Sequence, residues 1–552
     1  VVLFSGVAVA DPVDLDPDTN LDGEGTEAQP YNITNASELQ AMRGNLTAHY
    51  ELGKTIDASN TSEWYGGDGL YPIGNSTNTA LNGFAGNKFE GSFDGNGFEI
   101  QNLTINRNDE SYIGLFGFAT SSSEIGNVTL FNVSVNGTAH VGALVGESHG
   151  EVYDAHASGD VRSDHAEAGT GGPSPPDGEG SRTGALVGML ADSGTVANAT
   201  ASANVTGVSG REKRLGGLIG FSDGTITDST ASGDVHGNGG VGGLVGRNAA
   251  NGYIENASAT GNVSGQKYNT DDAGALGGLA GFNSGTITES YATGNVSDDG
   301  TGNLIGGLIG SNSETVTRSY ATGTVDGTSN VGGLAGKNSG TVRDSYATGT
   351  VVGGTPVGGL VGDNQGPIEQ SYAVVDVPDG EAGFVGSDNG GSVTAGYWDE
   401  AATGETDTAD GKGLSTFEMT ALVAKDYMDL GFEGTWNATD RYPRLAWEGV
   451  DEPDPYPTAA PSEGEVWLLN DSENGYYHNY SIHDGQVRWL GEIVAIPGPA
   501  NSAQLIEIAA GNATEDYDAA VVGPGEYRLN DQQTNLTASA GANLTRLFSY
   551  NG

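Results

Sequence analysis

The chain has 552 residues, with 92 glycines, no cysteine, and a net charge of -51 from 72 acidic against 21 basic side chains. Without cysteine there is neither a disulfide framework nor thiolate chemistry, and so acidic a surface repels nucleic acid and anionic membranes. The glycine content at this length points to one long repetitive domain or to several smaller ones.

Residues 1–10, "VVLFSGVAVA", are nearly uncharged. They are too few to span a bilayer, which takes eighteen or more apolar residues. Two readings stand side by side: "AVA" before Asp11 fits a signal peptidase site, and the length also fits one β-strand. In the second reading Val1, Val2, Leu3, Phe4, Val7 and Val9 insert into the C-terminal domain of another copy by strand addition.

The segment to residue 28 is acidic. Asp14, Asp16, Asp18, Asn20 and Asp22 alternate before Gly23, in the manner of a D-x-D-x-D-G calcium loop. Counted from Asp18, the twelfth position is Gln29 where such a loop has a bidentate Glu. Calcium binding and a solvated acidic linker therefore both remain open.

Residues 29–450 carry a repeat. The glycine that closes each first half-unit recurs at Gly117, Gly146, Gly188, Gly220, Gly246, Gly281, Gly310, Gly336, Gly362 and Gly386, a base period near 26 with insertions. Four columns of one residue type or nearly so run through it, typified by Leu334, Val342, Ala347 and Val351 in the unit at 331–351. Short β-branched runs between Gly, Asn and Ser turns read as strands, and no window holds a helical period. One unit cannot bury its own apolar face, but stacked units put column on column. Ten coils at strand spacing would extend roughly 48 Å.

"GGLAGKNSGTVRDSYATGTV" and "GGLIGSNSETVTRSYATGTV" resemble the repeats of GLUG-motif proteins. "FEGSFDGNGFEIQNLTI" resembles the coil that precedes such repeats, and "GYWDEAATGETDTADGKGLSTFEMT" with "FEGTWNATDRYPRLAWEG" the segment that closes them. The resemblance implies a right-handed parallel β-helix on an exported surface protein. It implies no one function, since such arrays serve as stalks, adhesins and appendages of enzymes. The low lysine count beside excess carboxylate likewise resembles proteins of extremely halophilic archaea, whose compact state relies on screening by salt.

Residues 451–464 are Pro-rich and acidic, a stiff linker. Residues 465–552 alternate apolar and polar positions between turn signals, which predicts a small antiparallel β-sandwich. The expected fold is thus all-β: a parallel β-helix followed by that sandwich.

Twenty N-x-[ST] sequons occur, at Asn32, Asn35, Asn45, Asn60, Asn75, Asn102, Asn127, Asn132, Asn136, Asn198, Asn204, Asn256, Asn262, Asn295, Asn437, Asn470, Asn479, Asn512, Asn535 and Asn543. Chance would place about eight, so the excess predicts N-linked glycans on an exported protein.

Signs of catalysis are weak. A β-helix enzyme acting on polysaccharide needs carboxylates paired on adjacent coils, yet Asp160 and Asp234 share a column with Asn204, Asn262, Asn295, Thr324 and Thr350. His140, His149, His156 and His165 have no metal-ligand spacing and read as turn decoration; His478 and His483 read as surface strand positions. Tyr291, Tyr320, Tyr346 and Tyr372 occupy one column, open to a sugar-stacking strip or to a plain inter-coil aromatic ladder.

The expectation is a non-enzymatic, extracellular or cell-surface protein without a membrane span, bearing N-linked glycans and no cofactor other than the calcium left open at Asp14 to Asp22. A glycoprotein filament subunit polymerising with its own copies is the leading form; an adhesin binding carbohydrate or protein is the first alternative and a polysaccharide-active β-helix enzyme the second.

Overall fold

The computed structural model describes residues 21–74, 88–164, 181–209, 213–266, 274–298, 300, 304–404, 411–416, 418–420, 424–439 and 441–450, together with the backbone of the strands between 465 and 543. By contacts the chain divides into two units, 1–413 and 414–552.

The first unit is a parallel β-solenoid. Its described strands form three parallel sheets of 28, nine and ten strands. One coil shows the plan: Arg214–Gly216 belongs to the nine-stranded sheet and Ile219–Ser222 to the ten-stranded sheet. Thr225–Thr227, Thr230–Ala231 and Val235–Asn238 then run along the long sheet. The next coil begins at Gly240–Gly242, paired in parallel with Arg214–Gly216.

The sequence columns are the coil-to-coil register. Ile226, Ile254, Ile287, Val316, Val342 and Ile368 pair in succession, and each is fully buried. Leu218, Leu244, Leu279, Leu308, Leu334 and Leu360 follow each other through backbone bonds of 2.8–2.9 Å. Each fully buried Leu, Ile or Val contributes about 2 kcal/mol. A single coil would leave those side chains open to water above and below, so stability comes from stacking.

The glycines and alanines of the repeat have a packing reason. A Cβ on Gly336 would lie 2.3 Å from the backbone N of Ile305 in the preceding coil, and one on Gly333 would lie 3.0 Å from the Ala347 Cβ. Neighbouring strands therefore touch backbone to backbone at the first position, and opposite walls pinch together at the second. Only small residues fit.

A second, buried ladder runs beside the leucines. Asn248, Asn283, Asn312, Asn338 and Asn364 are all inaccessible, and each Nδ2 donates to the Oδ1 of the next at 2.8–2.9 Å. The first Oδ1 and the last Nδ2 of the series have no hydrogen-bond partner.

At the N-terminal end Tyr31–Ile33 pairs with His49–Leu52, which pairs with Ser92–Asp94. Between the first two lies the helix Ala36–Ala41, whose N-cap Asn35 accepts from the Glu38 N–H while Thr34 donates N–H and O–H to the Glu38 carboxylate. That reciprocal cap starts the helix, which sends Leu39 and then Met42 into the core. Phe89 and Phe93 pack on Phe116 at 4.7 and 5.4 Å between centroids.

In the second unit Trp436–Asn437 pairs antiparallel with Arg444–Leu445. A six-stranded antiparallel sheet runs in the order Glu492–Ile493, Gln486–Trp489, Tyr477–His483, Glu465–Leu469, Ala519–Val522 and Ala542–Asn543. Gly525–Arg528 and Asn535–Ala538 form a separate antiparallel pair. The all-β expectation, parallel coils followed by antiparallel strands, describes this chain.

Candidate functional site

The tyrosine column is a stack. Tyr291 on Tyr320, Tyr320 on Tyr346 and Tyr346 on Tyr372 have centroid separations of 5.0, 4.8 and 5.0 Å and interplanar angles of 5°, 9° and 2°. Parallel pairing of Tyr291 with Tyr320 and onward produces it directly. Tyr346 and Tyr372 are inaccessible and Tyr291 and Tyr320 are half-buried, so a four-ring sugar platform is not presented.

The histidines do not decorate turns as a group. His140 is buried in the strand Ala139–Val141, and its Nδ1 lies 2.8 Å from Glu147 Oε2 in the next strand of the same coil, Val145–Ser148. His149 Nε2 lies 2.8 Å from the other oxygen of Glu147. Arg182, one coil on, reaches His140 Nε2 at 2.9 Å. An arginine only donates, so Nε2 accepts and Nδ1 carries the proton given to Glu147.

Burial drives the Glu147 carboxyl upward, but the hydrogen bonds from His140 and His149 outweigh it and hold the group at about 2. Tyr112 packs edge-on against His140, and the Arg182 guanidinium lies 4.6 Å from the Phe221 ring centre. The cluster ties two coils together by the Arg182–His140 hydrogen bond, with Glu147 held by His140 and His149 within its own coil. Sequence reading missed Glu147; its signal was the seven-residue offset from His140, which two strands joined by a tight glycine turn convert into a facing pair.

His156 lies in the strand Glu151–Asp164 with Nδ1 2.6 Å from Thr200 Oγ1, and burial pushes its imidazole below the usual value. His165 lies outside the described residues, and for His478 and His483 only the strand Tyr477–His483 is described.

Among the described residues no group of three or more His, Cys, Asp or Glu side chains is arranged to hold a metal ion. Asp14, Asp16, Asp18 and Asn20 lie outside the described residues; Asp22 is exposed, and its carbonyl accepts from the Asn32 N–H. Residues 1–10 also lie outside them. No helix among the described residues is long and apolar enough to cross a membrane.

Sequon asparagines concentrate on the outer corners of the long sheet. Asn132, Asn198, Asn204, Asn256, Asn262 and Asn295 are exposed there, and Asn35 and Asn60 are exposed nearer the N-terminus. Asn32, Asn45, Asn102, Asn127, Asn136 and Asn437 are half-buried. Asn75, Asn470 and Asn512 lie outside the described residues, while Asn479, Asn535 and Asn543 fall on described strands.

The profile of the GLUG motif matches residues 212–235, 237–264, 272–297 and 327–352. The chain is 37% identical over 447 residues, 78% of its length, to halomucin of Haloquadratum walsbyi. It is 37% identical over 135 residues, 24% of its length, to a protein of Evansella cellulosilytica named as a Gly-rich membrane protein. Over 271 residues, 46% of its length, it is 26% identical to an immunoglobulin A1 protease of Streptococcus sanguinis. It spans 3%, 14% and 12% of these three relatives. The solved structure of a candidate immunoglobulin A1 protease of Bacteroides ovatus aligns over 77% of this chain and 94% of that one, at 18% identity and a TM-score of 0.32, too distant to carry an argument. With the motif matched at four places in the sequence and the matched segments built as stacked coils, this chain is a GLUG-repeat parallel β-helix protein, similar in sequence to halomucin.

Proposed function

We propose that this chain is a structural, non-enzymatic part of a secreted or cell-surface glycoprotein of an extreme halophile: a stacked spacer whose acidic, sugar-bearing exterior is its working surface. The observation that carries the reading is the unbroken register of inward columns, Ile226 to Ile368 among them. It devotes the interior to stacking, while the buried carboxylate of Glu147 is held by the imidazoles of His140 and His149. The net charge of -51, the twenty sequons and the similarity to halomucin support the location.

An antibody against the solenoid, applied to intact cells of the native host and to their medium, tests this. Label outside the cell is expected. Protein confined to the cytoplasm overturns it.

A finer form of the same reading is a filament in which residues 1–10 of one copy add a strand to the C-terminal sheet of the next. Its support is that sheet, whose outermost strands among the described residues are the short Glu492–Ile493 and Ala542–Asn543, and a sheet edge is where an added strand pairs. Deleting residues 1–10, or residues 465–552, is expected to abolish polymer while the remaining solenoid stays folded by circular dichroism. Polymer that forms unchanged from either variant overturns it.

A further inference from the structure

Two columns of outward side chains run along the corners of the long sheet. At the first corner Asn127, Asp154, Asn198, Asp228 and Asn256 stand in successive coils with φ of 52°, 45°, 49°, 51° and 48°. The residues just before them, Gly126, Tyr153, Ala197, Thr227 and Glu255, pair in that order. This left-handed conformation suits Asn and Asp better than other residues bearing a side chain. The three asparagines are sequons and the two residues between them are aspartates, so sequons fall on every second coil.

Each amide is tied to a carboxylate of the coil before it. Asn127 Nδ2 donates to Asp94 Oδ1 at 3.1 Å, Asn198 Nδ2 to Asp154 Oδ1, and Asn256 Nδ2 to Asp228 Oδ1 at 2.6 Å.

At the second corner the order is Asp160, Asn204, Asp234, Asn262, Asn295. Here the side-chain oxygens bond to the chain itself. Asn204 Oδ1 accepts from the Asp234 N–H at 3.2 Å and Asp234 Oδ1 from the Asn262 N–H at 2.9 Å. Asn262 Oδ1 accepts from the Asn295 N–H at 3.2 Å and Asn295 Oδ1 from the Thr324 N–H at 3.0 Å. Asn262 Nδ2 also donates to Asp234 Oδ1 at 3.1 Å, as the amides of the first corner do to their aspartates, and with the oxygens used in the ladder Nδ2 is the atom an exposed amide offers for modification. Alternation holds until Asn262 and Asn295, which sit on adjacent coils.

Adjacent coils are about 4.8 Å apart, less than the width of a pyranose ring with its hydroxyls, whereas every second coil leaves roughly twice that. We propose that the Asn/Asp alternation spaces N-linked saccharides two coils apart. Asn127, Asn198 and Asn256 carry them on the first corner; Asn204 and only one of Asn262 and Asn295 carry them on the second. The proposal rests on the glycoprotein reading above.

In the modification Nδ2 bonds to the anomeric carbon of a saccharide delivered as a glycosyl phosphate by a transferase. The bond from that carbon to the phosphate oxygen breaks, the phosphate leaves with the electron pair, and Nδ2 loses one proton to the transferase. The product amide keeps one N–H, which Asp154 or Asp228 can still accept. Those aspartates occupy the intervening coils with side chains that cannot themselves be glycosylated.

The test uses the full chain purified from a halophilic archaeal host. Cleavage at arginine alone releases residues 248–318 as one fragment, because Arg247 and Arg318 have no arginine between them, and that fragment carries Asn256, Asn262 and Asn295. Its intact mass with site-resolved fragmentation is expected to show at most two saccharides, one on Asn256 and one on either Asn262 or Asn295. Fragments with both Asn262 and Asn295 occupied overturn the spacing rule while leaving the glycoprotein reading intact. Absence of sugar from every sequon overturns both.

A second arm is Asp228→Asn, a near-isosteric change that creates an Asn-Ser-Thr sequon between Asn198 and Asn256. Occupancy of Asn198 and Asn256 is expected to fall as the new sequon fills. Full occupancy of all three successive coils overturns the proposal.

Discussion

Asn312 donates its Nδ2 to Asn338 Oδ1 at 2.9 Å while its own Oδ1 accepts from Asn283 Nδ2 at 2.8 Å, with all three side chains out of contact with water. Asn312→Ala removes a donor and an acceptor at once, strands Asn338 Oδ1 and leaves Asn283 Nδ2 only a 3.5 Å bond to the Thr315 carbonyl. Each stranded buried group costs about 1–3 kcal/mol, so a loss on the order of 3 kcal/mol is expected from denaturant melts in concentrated salt. A loss below about 0.5 kcal/mol, the size of an ordinary surface effect, would show that the ladder is not continuous.

Gly336→Ala places a Cβ 2.3 Å from the Ile305 N, 2.7 Å from the Leu304 carbonyl carbon and 2.8 Å from the Gly310 O. All three are backbone atoms and cannot rotate away, so the coils must separate locally. A destabilisation of about 1–3 kcal/mol is expected, with amide exchange accelerated in coils 304–312 and 331–338. The exposed substitution Thr293→Ala serves as the control and should be near neutral.

Glu147 is held at about 2 against an ordinary 4.5. A carboxylate whose pKa is depressed by folding contributes stability in full above its unfolded value and loses it as pH falls through the folded value. The solenoid should therefore lose stability progressively between about pH 4.5 and about pH 2. Glu147→Gln should lack that component and be less stable than the parent at neutral pH. Melts across the range that are parallel for the two proteins would remove Glu147 from the acid limb.

The net charge of -51 sets a dependence on salt that no single contact supplies. Carboxylates repel over about 10 Å at 0.1 M salt and over only about 3 Å at 1 M. The melting temperature should rise steeply between those concentrations. It should rise comparably with sodium or potassium chloride, since screening depends on ionic strength; a flat profile would mean that core stacking alone overcomes the repulsion.

Much of the fold is legible before any coordinates, because a stacked repeat writes its tertiary contacts into its own period. Ile226, Ile254 and Ile287 are far apart in the chain but recur at one place in the unit, so a column of identical residues is already a statement about register. The period cannot say which way each residue faces or what it meets across the coil. His140 and Glu147 look unrelated along the chain, and only the glycine-cornered return between their two strands brings them together. The asparagine ladder from Asn248 to Asn364 reads in sequence as turn residues, whereas burial converts the same amides into a continuous hydrogen-bonded series.

The sequons illustrate the division most plainly. Sequence alone determines that Asn198, Asn204, Asn256, Asn262 and Asn295 carry the acceptor motif, since the motif is local. Only the stacking decides which of them are neighbours, because strand pairing sets a spacing of about 4.8 Å between residues some thirty positions apart.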